Sequence, residues 1–252
     1  LIHGSSGRMG QALLRACAAE PDRFEVAGAV SRKPSQRVVD GVPQFAASEL
    51  SGVPRFDALV DFSRPEAFDR VLALAVARGT PFVSGTTGLG EAQREALRLA
   101  GERIPVCWAS NFSVGVAVLG ELVARAARAL QGWDCDIVEA HHAGKADAPS
   151  GTALSLGHVA EEGGATPRYA AVRAGDLGGE HVIQFTGLGE RIDGGDQSPA
   201  RQAAAVSRRS LQEVGPRLLQ RYRDIFARGA LHVASRLAGR EPGLYAVGQL
   251  LE

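Results

Sequence analysis

The first half of the chain alternates short apolar runs with helical patterns, and this alternation leaves few folds open. Leu1-Ile2-His3 leads through a glycine loop into a helix that ends near Glu20. Strand-like runs follow at 24–30, 58–62, 81–83 and 104–108, with helical spacing at 66–78 and 91–100 between them. Strands joined by helices return to the same edge of a sheet, so the predicted first domain is a parallel sheet with helices on both faces. Ligands of such sheets bind at the carboxyl ends of the strands, where the strand order switches.

After Asn111 the pattern changes. A long helix is predicted over 116–130, a strand over 136–140, a helix over 152–162, and strands over 169–173 and 181–186. These mark a second domain of α+β character. The expected fold class is therefore α/β, a Rossmann-type parallel sheet with a second α+β domain for substrate binding and oligomerisation. Its boundaries are placed at 1–112 plus 224–252 for the dinucleotide-binding domain and 113–223 for the second, because the last helix, 224–237, is expected to pack back on the first domain.

Composition narrows the function classes. Lys plus Arg and Asp plus Glu both number 28, which argues against a general polybasic surface for nucleic acid or anionic membrane, so an anionic ligand must be held by a local arrangement. No apolar run approaches the ~20 residues that cross a bilayer. Cys17, Cys107 and Cys135 form no CxxC and are odd in number, which reads as reduced thiols in a cytoplasmic protein. No metal site is expected, since no Cys lies near the paired histidines and no HExxH occurs. The 31 glycines call for many turns that only a residue without Cβ can make.

Gly4-x-x-Gly7-x-x-Gly10 stands between a strand and a helix, where glycines let the backbone approach a pyrophosphate and the helix N-terminus offers free N–H groups. A tight turn with no ligand is the alternative. The second strand ends in Ser31-Arg32-Lys33, where an NAD site usually carries an acid for the ribose. Cations suit a 2′-phosphate, which favours NADPH over NADH; a solvated loop is the other reading. Two further loops end strands of this sheet, Asp61-Phe-Ser-Arg-Pro65 and Ser84-Gly-Thr-Thr-Gly88, and Gly85, Thr86 and Thr87 could bond a nicotinamide amide; a plain turn is the alternative for each.

The densest chemistry lies in Glu139-Ala-His-His-Ala-Gly-Lys-Ala-Asp-Ala-Pro-Ser-Gly-Thr-Ala-Leu154. Ser150 is a natural helix N-cap, leaving the N–H groups of Gly151 and Thr152 to face an anion with the helix dipole behind them. Lys145 and a histidine add charge, making a pocket for a small polyanion. His141 and His142 are adjacent and point to opposite faces of a strand, so they cannot share one task. A histidine that donates a proton near neutral pH is the functional reading; two structural histidines is the other.

Taken together, the Gly4–Gly10 loop, Asp61-Phe-Ser-Arg-Pro-Glu66, Gly85-Thr-Thr-Gly88, Asn111-Phe-Ser-Val-Gly-Val116, the 139–154 stretch, and Val172-Arg-Ala-Gly-Asp176 with Gly179-Glu-His181 resemble the 4-hydroxy-tetrahydrodipicolinate (dihydrodipicolinate) reductase family. The likeness runs from residue 1 to about 192 and resumes near 224. It implies an NAD(P)H-dependent reduction of a small cyclic dicarboxylate in lysine and diaminopimelate biosynthesis. It assigns proton donation to His141 with Lys145 as partner, and carboxylate binding to His142, Lys145, Ser150, Gly151 and Thr152. It assigns the cofactor to Gly4, Ser5, Ser6, Gly7, Arg8, Met9, Ser31, Arg32, Gly85, Thr86, Thr87, Ala109, Ser110, Asn111 and Phe112. It also implies a homotetramer with no nucleic-acid or membrane partner.

Two departures from the family pattern stand out. Leu1-Ile2-His3 is short for a first strand, which suggests a natural chain that begins earlier. Residues 193–223 run through Asp193-Gly-Gly-Asp-Gln-Ser-Pro199 into an Ala-, Gln- and Arg-rich stretch where the family has a short strand and a turn. Leu211, Val214 and Leu218 recur at helical spacing and Arg201, Arg208, Arg209, Arg217 and Arg221 make the stretch basic, with Gly215-Pro216 expected to interrupt any helix. If the strand is displaced, a nucleotide-binding protein without catalysis becomes the alternative function. A semialdehyde dehydrogenase is disfavoured, since no cysteine sits where a thioester could form.

Overall fold

A computed structural model describes residues 1–197 and 211–251, with side chains at 1–195 and 223–251. The chain runs β1 (Ile2–His3), α1 (Arg8–Ala19), β2 (Ala29–Ser31), β3 (Val38–Val39), β4 (Val42–Ala46), β5 (Leu59–Asp61), α2 (Pro65–Arg78), β6 (Phe82–Ser84), α3 (Glu91–Gly101) and β7 (Pro105–Trp108). It continues through α4 (Val114–Ala129), β8 (Asp134–His141), α5 (Gly151–Glu162), β9 (Pro167–Arg173), β10 (Glu180–Gly187), β11 (Glu190–Gln197), α6 (Leu211–Leu237) and β12 (Gly243–Leu244). Two compact units result, Leu1–Phe112 with Arg223–Glu252, and Ser113–Tyr222.

The first unit holds a sheet of order β12-β7-β6-β5-β1-β2-β4-β3, parallel from β12 to β4 with β3 antiparallel at one edge. Strands β5, β6 and β7 read as short continuous apolar runs because both their faces are covered; Leu59, Val60, Phe82, Val83, Val106 and Cys107 are all buried. The order of the chain reverses at β1, which pairs β2 on one side and β5 on the other. The loops after β1 and β5 therefore flank the switch point.

The predicted strand at 24–30 is only Ala29–Ser31. It pairs β1 on one side and β4 on the other, while residues 24–27 are half-buried or exposed and lie outside the ladder. Strands β3, β4 and β12 have no counterpart in the prediction. Val38 and Val39 are exposed and β4 is only half buried, so an apolar pattern could not announce them.

In the second unit, a sheet of order β11-β10-β8-β9 packs one face against α4 and α5. Along β8 alternate residues are buried: Cys135 and Ile137 join the apolar core with Val123, Ala127, Leu156 and Ile183, and Glu139 and His141 prolong the same face. The strand expected to be displaced after residue 192 is in place. Residues 190–197 pair in antiparallel register with 180–187, because a hairpin ladder is made by the backbone and tolerates Asp193-Gly-Gly-Asp in its second arm. A displaced strand therefore gives no support to the non-catalytic alternative; the rest of its altered segment, residues 198–210, lies outside the described residues.

The last helix begins at Leu211, earlier than the predicted 224, and passes through Gly215-Pro216 without a break. Pro216 removes one backbone donor, and the many other bonds of a 27-residue helix keep the ladder continuous around it. Its later turns bury Ala227, Ala230, Leu231, Val233, Ala234 and Leu237. Residues 198–210, with Arg201, Arg208 and Arg209, lie outside the described residues, and so do the side chains of Leu211, Val214, Arg217, Leu218 and Arg221. No described helix is long and apolar enough to cross a membrane.

Candidate active site

In the first unit the residues at the switch point are held by close backbone contacts. Gly4 has φ +80°, and a Cβ there would lie 2.4 Å from the carbonyl oxygen of Phe62. A Cβ on Gly85 would lie 2.1 Å from the Phe62 ring. The loops after β1, β5 and β6 thus meet with no room for a side chain. Helix α1 starts from Gly7 with no side chain capping it, which leaves its N-terminal N–H groups and dipole end available to an anion. This cradle fits the pyrophosphate of a dinucleotide.

Beneath the loops lies a closed polar network. The Asp61 carboxylate is fully buried and accepts bonds from His3 Nδ1 (2.7 Å), Ser84 Oγ (2.9 Å) and Thr86 Oγ1 (2.7 Å). Burial works to raise its pKa, but the bonds from His3 and Thr86 outweigh it and hold the carboxyl below its usual range. Thr86 Oγ1 also accepts from the Ser63 N–H, and the Thr86 carbonyl accepts from Trp108 Nε1. One carboxylate therefore ties the loops after β5 and β6 together.

Ser5 and Ser31 are buried, Gly4, Met9 and Gly85 half-buried, and Ser6, Gly7, Arg8 and Thr87 exposed. Arg32 follows Ser31 at the end of β2 and is exposed, with no ion pair among the described residues. The Ala109 N–H bonds the Ser84 carbonyl, and Phe112 is buried with its ring 5.6 Å from that of Phe62. Ser110 is exposed and Asn111 half-buried between them.

The second unit brings His141, His142, Lys145, Ser150, Gly151 and Thr152 to the carboxyl end of β8 and the start of α5. His141 is buried and His142 exposed, the split that strand alternation predicts. Ser150 caps α5, its Oγ accepting from the Ala153 N–H at 3.2 Å, and it also bonds His181 Nε2 at 2.9 Å. Lys145 Nζ donates to both oxygens of Asp147, at 2.7 and 2.8 Å. The Lys145 ammonium holds that carboxyl below its ordinary range against the opposing effect of burial.

Four residues at this site were given no role from the sequence: Glu139, Asp147, Arg173 and His181. Glu139 is buried and accepts two bonds from Arg173, at 2.6 and 2.8 Å, one from the Ser150 N–H, and one from His141 Nδ1. Burial would raise its pKa, but Arg173 and His141 outweigh it and the carboxylate stays ionised. Burial pushes His141 down, opposed by Glu139. His181 packs edge-on to His141 at 5.2 Å between ring centroids, and burial takes its pKa to about 4, so it is neutral. A signal for Glu139 was present, namely an acid two residues before a histidine on a strand whose inward face is otherwise apolar.

The cysteines are buried and unpaired. Burial raises Cys17 to about 11 and Cys107 to about 12, which denies them the thiolate a nucleophile needs.

A parallel sheet with a glycine loop at its switch point, joined to an α+β unit rich in titratable side chains, is the plan of two-domain NAD(P)-linked oxidoreductases. Comparison with known proteins narrows the class. Residues 1–112 match the model of the dihydrodipicolinate reductase N-terminus and residues 115–205 that of its C-terminus. The 4-hydroxy-tetrahydrodipicolinate reductase of Stenotrophomonas maltophilia (strain K279a) is 59% identical over 253 residues, covering 100% of this chain and 97% of the relative. That of Xylella fastidiosa (strain 9a5c) is 54% identical with the same coverage. A solved structure, the dipicolinate-bound dihydrodipicolinate reductase from Paenisporosarcina sp. TG-14, shares the fold at TM-score 0.75 and 20% identity, covering 100% of this chain and 98% of that one. The chain belongs to the dihydrodipicolinate reductase family and is an NAD(P)H-dependent oxidoreductase of lysine and diaminopimelate biosynthesis.

Proposed function

We propose that the protein reduces 4-hydroxy-tetrahydrodipicolinate to tetrahydrodipicolinate, with His141 as proton donor. The 4-hydroxyl and a ring proton leave together as water; a bound reduced nicotinamide would supply a hydride, and His141 the proton added at the neighbouring carbon. His142, Lys145, Ser150, Gly151 and Thr152 grip the two carboxylates. The observation that carries this reading is Asp147: its carboxylate already occupies the Lys145 ammonium. This donor already holds a carboxylate, and a substrate carboxylate takes it by displacing Asp147.

The cofactor is assigned to Gly4 through Met9, Ser31, Arg32, Gly85 through Thr87 and Ala109 through Phe112. When bound it supplies the hydride; the chain supplies a pyrophosphate cradle and, at Arg32, a cation for a 2′-phosphate. The absence of an acid at Ser31 supports NADPH as the preferred form, with NADH accepted. The domains then divide the work, 1–112 with 224–252 binding the dinucleotide and 113–223 the substrate, in a homotetramer. Three buried thiols support the reducing conditions of the cytoplasm.

The test follows reduced nicotinamide absorbance with freshly generated substrate. Wild-type protein consumes NADPH only when substrate is present, and His141→Gln lowers kcat by about 10²–10⁴ with NADPH affinity kept. Lys145→Ala raises KM for the dicarboxylate as well as slowing turnover. Unchanged kcat in His141→Gln overturns the assignment of the donor.

A further inference from the structure

The inward face of β8 changes from apolar to ionic at Glu139. In register, His181 of β10 lies opposite Glu139, and Arg173 of β9 lies opposite His141. Residues directly opposite one another share a face of the sheet, so Glu139, His141, Arg173 and His181 converge at one end of it. The carboxylate of Glu139 is saturated. Its Oε1 takes Arg173 Nη2 and the Ser150 N–H, and its Oε2 takes Arg173 Nη1 and His141 Nδ1.

An ionised carboxylate only accepts hydrogen bonds. The proton between Glu139 and His141 therefore belongs to Nδ1, and the proton that can come and go belongs to Nε2. We propose that Glu139, clamped by Arg173, is a positioning residue for the protonation step: it fixes the His141 ring by its Nδ1–H so that the proton is delivered from Nε2. This rests on the reading of His141 as the donor. In the step, the imidazolium loses its Nε2 proton to the substrate carbon and becomes the neutral Nδ1–H tautomer, which Glu139 already holds. A proton taken up from solution restores the Nε2–H for the next turnover.

The Arg173 clamp matters for direction. A buried carboxylate without it would rise in pKa and compete for the histidine's proton. With two guanidinium bonds on it, Glu139 stays an acceptor and supports the charged imidazole. The other charged or titratable groups around His141 work against that charge or leave it alone: Lys145 and Arg173 are cations, and His181 is neutral. Glu139 is thus the group among them that favours the protonated donor.

The experiment compares Glu139→Gln and His141→Gln in the full-length protein and reads the imidazole nitrogens of the wild type by ¹⁵N NMR. Glu139→Gln is expected to lower kcat roughly 10–100-fold, as loss of a histidine's supporting partner does. Its KM for the dicarboxylate should change less than about threefold. Because activity needs protonated His141, losing the carboxylate moves the alkaline limb of the pH–rate profile to lower pH. The wild-type spectrum, which does not depend on a variant folding, should show neutral His141 protonated at Nδ1. An Nε2–H tautomer, or a Glu139→Gln profile like that of wild type beside an inactive His141→Gln, overturns the role of Glu139 alone. Full activity of His141→Gln would overturn the donor assignment beneath it.

Discussion

Among the described residues, each unit buries a carboxylate near the end of a strand and sets a histidine Nδ1 against it, Asp61 with His3 and Glu139 with His141. The surroundings differ. Asp61 is enclosed by His3, Ser84 and Thr86, all buried, and its bonds go to groups that shape loops. Glu139 has an arginine clamp that reaches the margin of the site and a histidine whose second nitrogen is unclaimed by it. The first network is a scaffold under a site made of backbone; the second belongs to a site made of side chains. A dinucleotide's phosphates can be met by glycine turns and N–H groups, whereas protonating a carbon needs a titratable group held in one tautomer.

The sharpest way to break that contrast is Gly4→Ala. If the cofactor site is backbone, a single methyl 2.4 Å from the Phe62 carbonyl should weaken NADPH binding several hundredfold, about 3–4 kcal/mol from overlap and the left-handed backbone together. Calorimetric titration checks it, and an affinity within about threefold of wild type would mean side chains carry the cofactor after all.

A somewhat smaller effect is expected from His181. The unfolded chain takes up a proton at this residue below about 6.5 and the folded protein only below about 4. Between those values the unfolded state binds more protons, so stability falls as pH drops through the window, by roughly 3 kcal/mol once it is crossed. His181→Gln should remove this part of the acid sensitivity, read from denaturant midpoints at pH 7 and near pH 4. The smallest is Ser150→Ala, which deletes the α5 cap and the bond to His181 and should cost ~1–2 kcal/mol by the same measurement.

The sequence announced what depends on neighbours in the chain. Leu59, Val60, Phe82 and Val83 are continuous apolar runs because parallel strands are covered on both sides, and Ser150 stands where a cap must. His142 turned outward by strand alternation alone. What stayed hidden depends on register. Arg173 meets Glu139 across 34 residues and His181 meets Ser150 across 31, distances that only strand pairing closes. Strand length was misjudged at 24–30 because an apolar run does not show which of its residues find a ladder partner, and only Ala29–Ser31 pair with β1 and β4. Pro216 was read as a breaker, though one missing donor does not undo a 27-residue helix.

The first unit is assembled from both ends of the chain. Strand β12 pairs β7 at Gly243 and Leu244, and α6 contributes Ala227, Ala230, Val233 and Leu237 as fully buried residues. On the ribosome, where synthesis runs from the N-terminus, residues 1–112 emerge long before these partners exist. The unit that begins first is completed last, and until then β7 is an open sheet edge. The second unit, contiguous in the chain, has all its strands in hand before the first can close.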